Sequence, residues 1–188
     1  MHRVAIFQDE YDYSFLLGTL QYYAPQLHYD VVAYCLMPNH IHLLIKTGDI
    51  SISQIMQVVL GHYAKRYNLR HHFTGHLFES VFHSELIKDV AYLLNAVKYI
   101  HLNPVKAKLA DFPDEYPYSS YNAYAWNEFD HLIDTEFLYT VFQETSDQIK
   151  TFYDFQETFI QFHMAQLTLW DLLHAQNRTL SFTPSVSL

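Results

Sequence analysis

Residues 27–47 read Leu27-His28-Tyr29-Asp30-Val31-Val32-Ala33-Tyr34-Cys35-Leu36-Met37-Pro38-Asn39-His40-Ile41-His42-Leu43-Leu44-Ile45-Lys46-Thr47. Two apolar, β-branched runs, Leu27 to Met37 and Ile41 to Thr47, flank a Pro38-Asn39 turn signal, which predicts a hairpin of two buried strands. His40 and His42 open the second run. Strand side chains alternate, so both imidazoles fall on one face while Ile41 points to the other, and two metal ligands could stand side by side. Taken alone, a His-x-His in a chain with 13 histidines is more often a hydrogen-bonded pair at a hairpin end.

Outward from the hairpin the pattern becomes helical. Asp9 to about Pro25 places Tyr13, Leu16, Leu17, Leu20 and Tyr23 at three-to-four spacing. Ser51 or Ser53 can cap a second helix, apolar at Ile52, Ile55, Met56, Val59, Leu60 and Tyr63, that runs to about Leu69. Residues 71–87 read as a loop and a short strand. Asp89 opens a third helix through Val90, Leu93, Leu94, Val97 and Ile100, which Pro104 is expected to stop at Asn103. Residues 110–126 read as loop, and two or three short helices follow from Asp134. Strands in one antiparallel sheet with helices packed on it make the class α+β.

Composition sets the bounds. The chain has 188 residues, 50% hydrophobic, 16% charged and 17% aromatic, enough for a core and too short for a (β/α)₈ barrel. Cys35 is the single cysteine, which excludes an intrachain disulfide and a Cys-based zinc site. With no secretory leader pattern and no membrane-length apolar run, a cytoplasmic protein without membrane contact is expected. The formal charge of −9 argues against a nucleic-acid partner, yet the charge is unevenly spread. Residues 61–108 hold seven Lys and Arg against three acids, whereas residues 111–188 hold twelve acids against Lys150 and Arg178.

Tyr99 and Asn103 lie four apart on the third helix and share a face. Together with His40 and His42 they offer two imidazoles and an amide oxygen as an open three-ligand site for a divalent cation, with a phenol beside it as nucleophile.

Tyr34-Cys35-Leu36-Met37-Pro38-Asn39-His40-Ile41-His42-Leu43-Leu44 and Tyr99-Ile100-His101-Leu102-Asn103-Pro104-Val105-Lys106-Ala107 together resemble the signature of the IS200-like transposases, in particular the REP-associated tyrosine transposases. Tyr63 to Asn68, Gly75 to Phe78 and Tyr116 to Tyr121 match the same family's texture, and the likeness covers roughly residues 5 to 160. It implies a ferredoxin-like antiparallel sheet with helices packed on it, residues 1–126 forming the transposase domain and residues 127–188 an acidic helical C-terminal extension. It further implies metal-dependent cleavage and rejoining of single-stranded DNA through a 5′-phosphotyrosine. His40, His42 and Asn103 would hold Mg²⁺ or Mn²⁺, and Tyr99 would be the nucleophile. Hairpin-bearing single-stranded DNA would meet Lys65, Arg66, Arg70, Lys106 and Lys108, with Tyr63, Tyr67 and Phe73 as stacking candidates. Metal binding needs neutral imidazoles, so activity is expected to fall as pH drops through about 6.

The likeness also implies one more strand ahead of His2-Arg3-Val4-Ala5-Ile6-Phe7, central in the sheet. The sequence starts at Met1, where that strand would end, so a strand from elsewhere, a second copy included, fills the place or the sheet stays open. Homodimer and monomer are both compatible with the family. Two other readings stand beside the transposase: a degenerate member that binds DNA or a partner without cleavage, and a His-x-His hydrolase that activates water and does not need Tyr99.

Overall fold

A computed structural model describes residues 5–78, 82–126, 128–133 and 135–144. Helix α1 (Glu10–Tyr23) starts at Asp9, whose carboxylate accepts the Asp12 N–H, as the acids at its start lead one to expect. Strands β1 (Tyr29–Met37) and β2 (His40–Thr47) pair antiparallel, with Met37 opposite His40 and Tyr29 opposite Thr47. Ser51 caps helix α2 (Ile52–His71) in a reciprocal capping box with Gln54, which settles the choice between the two serines.

The hairpin separates two cores. The register slips between Val31 and Ala33, and the extra residue resets which face each side chain takes. Tyr29 and Val31, then Tyr34 and Leu36, enter a core with Leu16, Leu20, Ile55 and Val59 from α1 and α2. Val32, Ala33, Cys35 and Met37 enter the other, beneath helices α3 (Val90–Lys106), α4 (Tyr121–Ala125) and α5 (Thr135–Glu144). On β2, Ile41 and Leu43 face the first core and Leu44 the second. By alternation His40 and His42 share Leu44's side, toward α3.

Phenols tie the cores to the backbone. Tyr63 donates to the Ile6 carbonyl, and Tyr67 to that of Ala5 (2.9 Å), fixing the segment before α1. The Ile6 N–H reaches Pro38 C=O (2.8 Å), so this segment crosses the hairpin turn beside His40. Tyr63 and Tyr67 are each 1% exposed, which removes both from the stacking candidates. Phe73 packs against the same core.

Residues 110–126 are more ordered than their prolines suggest. A 3₁₀ turn (Pro113–Glu115) and α4 lie there, and the segment between them runs along β1. Leu36 N–H donates to Tyr118 C=O (2.8 Å), and Ser120 N–H to Tyr34 C=O (3.0 Å). Tyr116 and Tyr124 donate to the Leu36 and Val32 carbonyls. These pairings occur between residues about 80 to 90 apart, invisible to a local reading. Ile133 bridges Val31, and Leu138 of α5 is fully buried.

Two expectations change, and a third lies outside the described residues. Helix α3 continues through Pro104 to Lys106 and ends where Ala107 N–H returns to Asn103 C=O (2.9 Å). Proline removes one hydrogen bond, and burial of His101, Leu102, Asn103 and Pro104 holds the last turn against that loss. The stretch from 71 to 87 shows no strand run among its described residues, Glu79, Ser80 and Val81 lying outside them. The helices expected after residue 144 lie outside the described residues as well. The second edge of β2 pairs with no named strand among the described residues. It opens on a cleft of about 550 Å³ bounded by Leu43–Thr47, residues 84–89, α3, and Phe137 and Val141 of α5. No helix among the described residues is long and apolar enough to cross a membrane. The fold class is α+β.

Candidate active site

The hairpin turn and the end of α3 meet at one place. The His40 and His42 rings are parallel within 5° and 6.2 Å apart. The Tyr99 ring stands edge-on to His42 at 88° and 5.8 Å. Asn103, one helical turn further along α3, donates its side-chain N–H to the Tyr99 carbonyl (2.8 Å). That bond turns the carboxamide so that Oδ1 is its acceptor atom. Residues 57 positions apart in the chain, His42 and Tyr99, thus come into contact.

The donor set fits a divalent cation by its chemistry. Asn39 Oδ1 lies 2.8 Å from His40 Nδ1, and an amide oxygen at that distance makes Nδ1 the protonated nitrogen and Nε2 the basic one. His42 Nδ1 is buried with no hydrogen-bond partner, an unmet valence that metal ligation of the ring or an ordered water would answer. Two imidazoles and a carboxamide oxygen make a neutral set with positions left for water and a phosphate oxygen. Among the described residues no three His, Cys, Asp or Glu side chains gather as a metal cluster.

Electrostatics keep His42 neutral. Burial, then the charge of His40 and of Lys106, push His42 down to about 4. The expected acid limit near pH 6 therefore does not come from His42. The Lys106 Nζ sits 4.7 Å from the Tyr99 ring centroid. Although Lys106 counts as an exposed residue, desolvation of its amine holds it below the ordinary lysine range. His101 points away from the cluster into the core, fully buried, with Nε2 2.8 Å from Ser120 Oγ; burial pushes it down to about 3. Burial likewise raises the Cys35 thiol, making it an inert core residue.

The five basic candidates split across the hairpin. Lys106 lies in the last turn of α3 at the Tyr99 ring, and Lys108 lies two residues beyond the helix end. Lys65, Arg66 and Arg70 lie on α2, which packs on the other core. Arg70 is clamped by Asp9 (2.6 Å) and by the buried Asp12 (2.9 Å), with His71 completing the group at 2.9 Å from Asp12. Arg66 donates to Tyr11 Oη (2.8 Å) and stacks on that ring. Lys65 is exposed. Local reading missed the role of Asn39, whose place directly before His40 was the available signal. It also missed Ser120, which no local pattern links to His101.

Comparison with known proteins shows the family. A family model described as "Transposase IS200 like" matches residues 1–103, a span that contains His40, His42, Tyr99 and Asn103. A protein of Haemophilus influenzae named "Putative REP-associated tyrosine transposase" is 26% identical over 106 residues, covering 50% of this chain and 60% of that protein. This chain thus spans less than two thirds of that relative. No solved structure matches the chain. With more than half of its length matched by the family and both halves of the site inside that match, the chain belongs to the IS200-like transposases.

Proposed function

We propose that this protein cleaves and rejoins single-stranded DNA by transesterification at Tyr99. The observation that carries the reading is the meeting of Tyr99 with His42 while Asn103 is bound to the Tyr99 carbonyl. Nucleophile and candidate ligands converge from two distant segments. His40, His42 and Asn103 would hold a Mg²⁺ or Mn²⁺ ion, which when bound supplies Lewis-acid polarisation of a phosphate oxygen. Tyr99 Oη attacks phosphorus, the Oη–P bond forms and the P–O3′ bond breaks. The phenolic proton passes to solvent, and the departing 3′ oxygen takes one up. The phosphodiester's energy is kept in the 5′-phosphotyrosine, so a 3′ hydroxyl of another strand reverses the step and joins DNA without ATP. Hairpin-flanked single strands are the proposed substrate, and a cytoplasmic setting is the proposed location.

The test is a covalent trap. Protein, Mn²⁺ and labelled single-stranded hairpin oligonucleotides are resolved under denaturing conditions beside Tyr99→Phe. A metal-dependent adduct in wild type that is absent from the variant supports the reading. Cleavage that survives in Tyr99→Phe would instead indicate water as nucleophile. Metal binding without any adduct would favour a DNA-binding module without cleavage, a reading to which the net charge of −9 and the occupied arginines of α2 lend weight.

A further inference from the structure

We infer that Lys106 is a positioning residue for the nucleophile: it holds the Tyr99 ring against His42 and keeps a fixed positive charge on the ring's face. The inference rests on the strand-cleavage reading and adds to it a residue beyond a general phosphate contact. Tyr99, Asn103 and Lys106 sit at i, i+4 and i+7 of α3, on one face of the helix. The Lys106 Nζ lies 4.7 Å from the Tyr99 centroid, and His42 meets the same ring at its edge. The ring is therefore bounded on one face by a cation and is met by a perpendicular imidazole, which together restrict its orientation.

Three features make this a built arrangement. Lys106 lies in the last turn of α3, where the open carbonyls of the helix end favour a cation. Continuation of the helix through Pro104, rather than a stop at Asn103, is what places residue 106 over Tyr99; a chain that left the helix at 103 would carry the lysine elsewhere. Finally, among the described residues no carboxylate forms an ion pair with Lys106, so none of them competes with the ring for the ammonium. A cation over an aromatic face is attracted by the ring's electron density. That density grows as Oη loses its proton and gains negative charge, so the interaction strengthens on the way to attack and favours the reacting state over the resting one. Arginine would keep the charge over the ring, whereas methionine keeps only the stem.

Two measurements on the full chain test this. In the first, proton NMR follows the Lys106 ε-methylene. The ring current of Tyr99 shifts it upfield, and the shift returns to the ordinary lysine position in Tyr99→Leu; an ordinary position in wild type overturns the contact whatever the activity. In the second, the rate of adduct formation with Mn²⁺ is measured at saturating single-stranded hairpin DNA. Lys106→Met is expected to lower the saturated rate about thirtyfold, and Lys106→Arg to recover it to within about threefold of wild type. A Lys106→Met variant that needs more DNA but reaches the wild-type rate would make Lys106 an ordinary phosphate contact and overturn the inference. Wild type that shows the upfield shift yet forms no adduct overturns the cleavage reading and the catalytic meaning of the contact, while the contact itself stands.

Discussion

The two sides of the β1–β2 hairpin use polar side chains in opposite ways. On the α1–α2 side most are spent on the protein itself, the buried Asn68 Oδ1 excepted: Tyr63 and Tyr67 bond the backbone of Ile6 and Ala5, and Asp9, Asp12, Arg70 and His71 form one closed group. On the α3 side His42 keeps a buried nitrogen with no partner, and Tyr99 is held by contacts to its ring and carbonyl with neither directed at its hydroxyl. A buried polar atom without a partner costs stability, and at His42 a ligand could offset that cost. The comparison sets a closed polar group on one side against the proposed site on the other.

Acid should break the α3 side hardest. His42 and His101 stay neutral in the folded chain down to about 4 and about 3, while in the unfolded chain each takes a proton near the ordinary value of about 6.5. Above about 6.5 neither state binds the proton and neither residue affects stability. As pH falls below it the unfolded state gains protons that the folded state refuses, so stability drops by on the order of 1.4 kcal/mol per pH unit for each histidine. Urea unfolding at pH 7, 6 and 5 measures this, and equal stability at all three would show that the imidazoles are protonated without unfolding.

His42→Ala sharpens the contrast. It should cut the metal-dependent adduct rate by about a hundredfold or more and abolish Mn²⁺ binding without lowering the melting temperature, because it removes an unpaired buried nitrogen. It should also remove about half of the acid slope. A variant that still binds Mn²⁺ with wild-type affinity would take His42 out of the ligand set.

The reverse behaviour is expected across the hairpin. Asp12→Ala leaves Arg70 and His71 without their buried acceptor and should cost about 2 kcal/mol in urea unfolding, while the adduct rate of the folded fraction at 15 °C stays at the wild-type value. A lost reaction rate in folded Asp12→Ala would show that the two sides are coupled. Tyr63→Phe, which removes the phenol bonded to Ile6, should cost about 1 kcal/mol and leave the reaction alone. Smallest of all, Arg66→Ala should change stability by no more than about 0.5 kcal/mol. An unchanged DNA affinity in the same variant would confine strand binding to the α3 side, and a large loss would extend it across α2.

The sequence by itself determined the hairpin, the capped helices α1 to α3, the side of β2 on which both histidines fall, and the helical face shared by Tyr99 and Asn103. These follow from period-two and period-3.6 spacing and from caps within three residues, so they are local properties of the chain. What lay beyond local reading was non-local. The slip at Val32 decides which side chains of β1 enter which core, and a run apolar on both faces carries no alternation from which to read it. The pairing of Tyr118 and Ser120 with β1, the persistence of α3 through Pro104, and the capture of Arg70 by Asp12 each depend on burial against residues far away in sequence. Charge composition marked Arg70 and Lys106 alike as basic residues near the middle of the chain. Only the tertiary structure separated them, because an ion's role is set by the partner that reaches it: two carboxylates close on Arg70, and the ring of Tyr99 lies beneath Lys106.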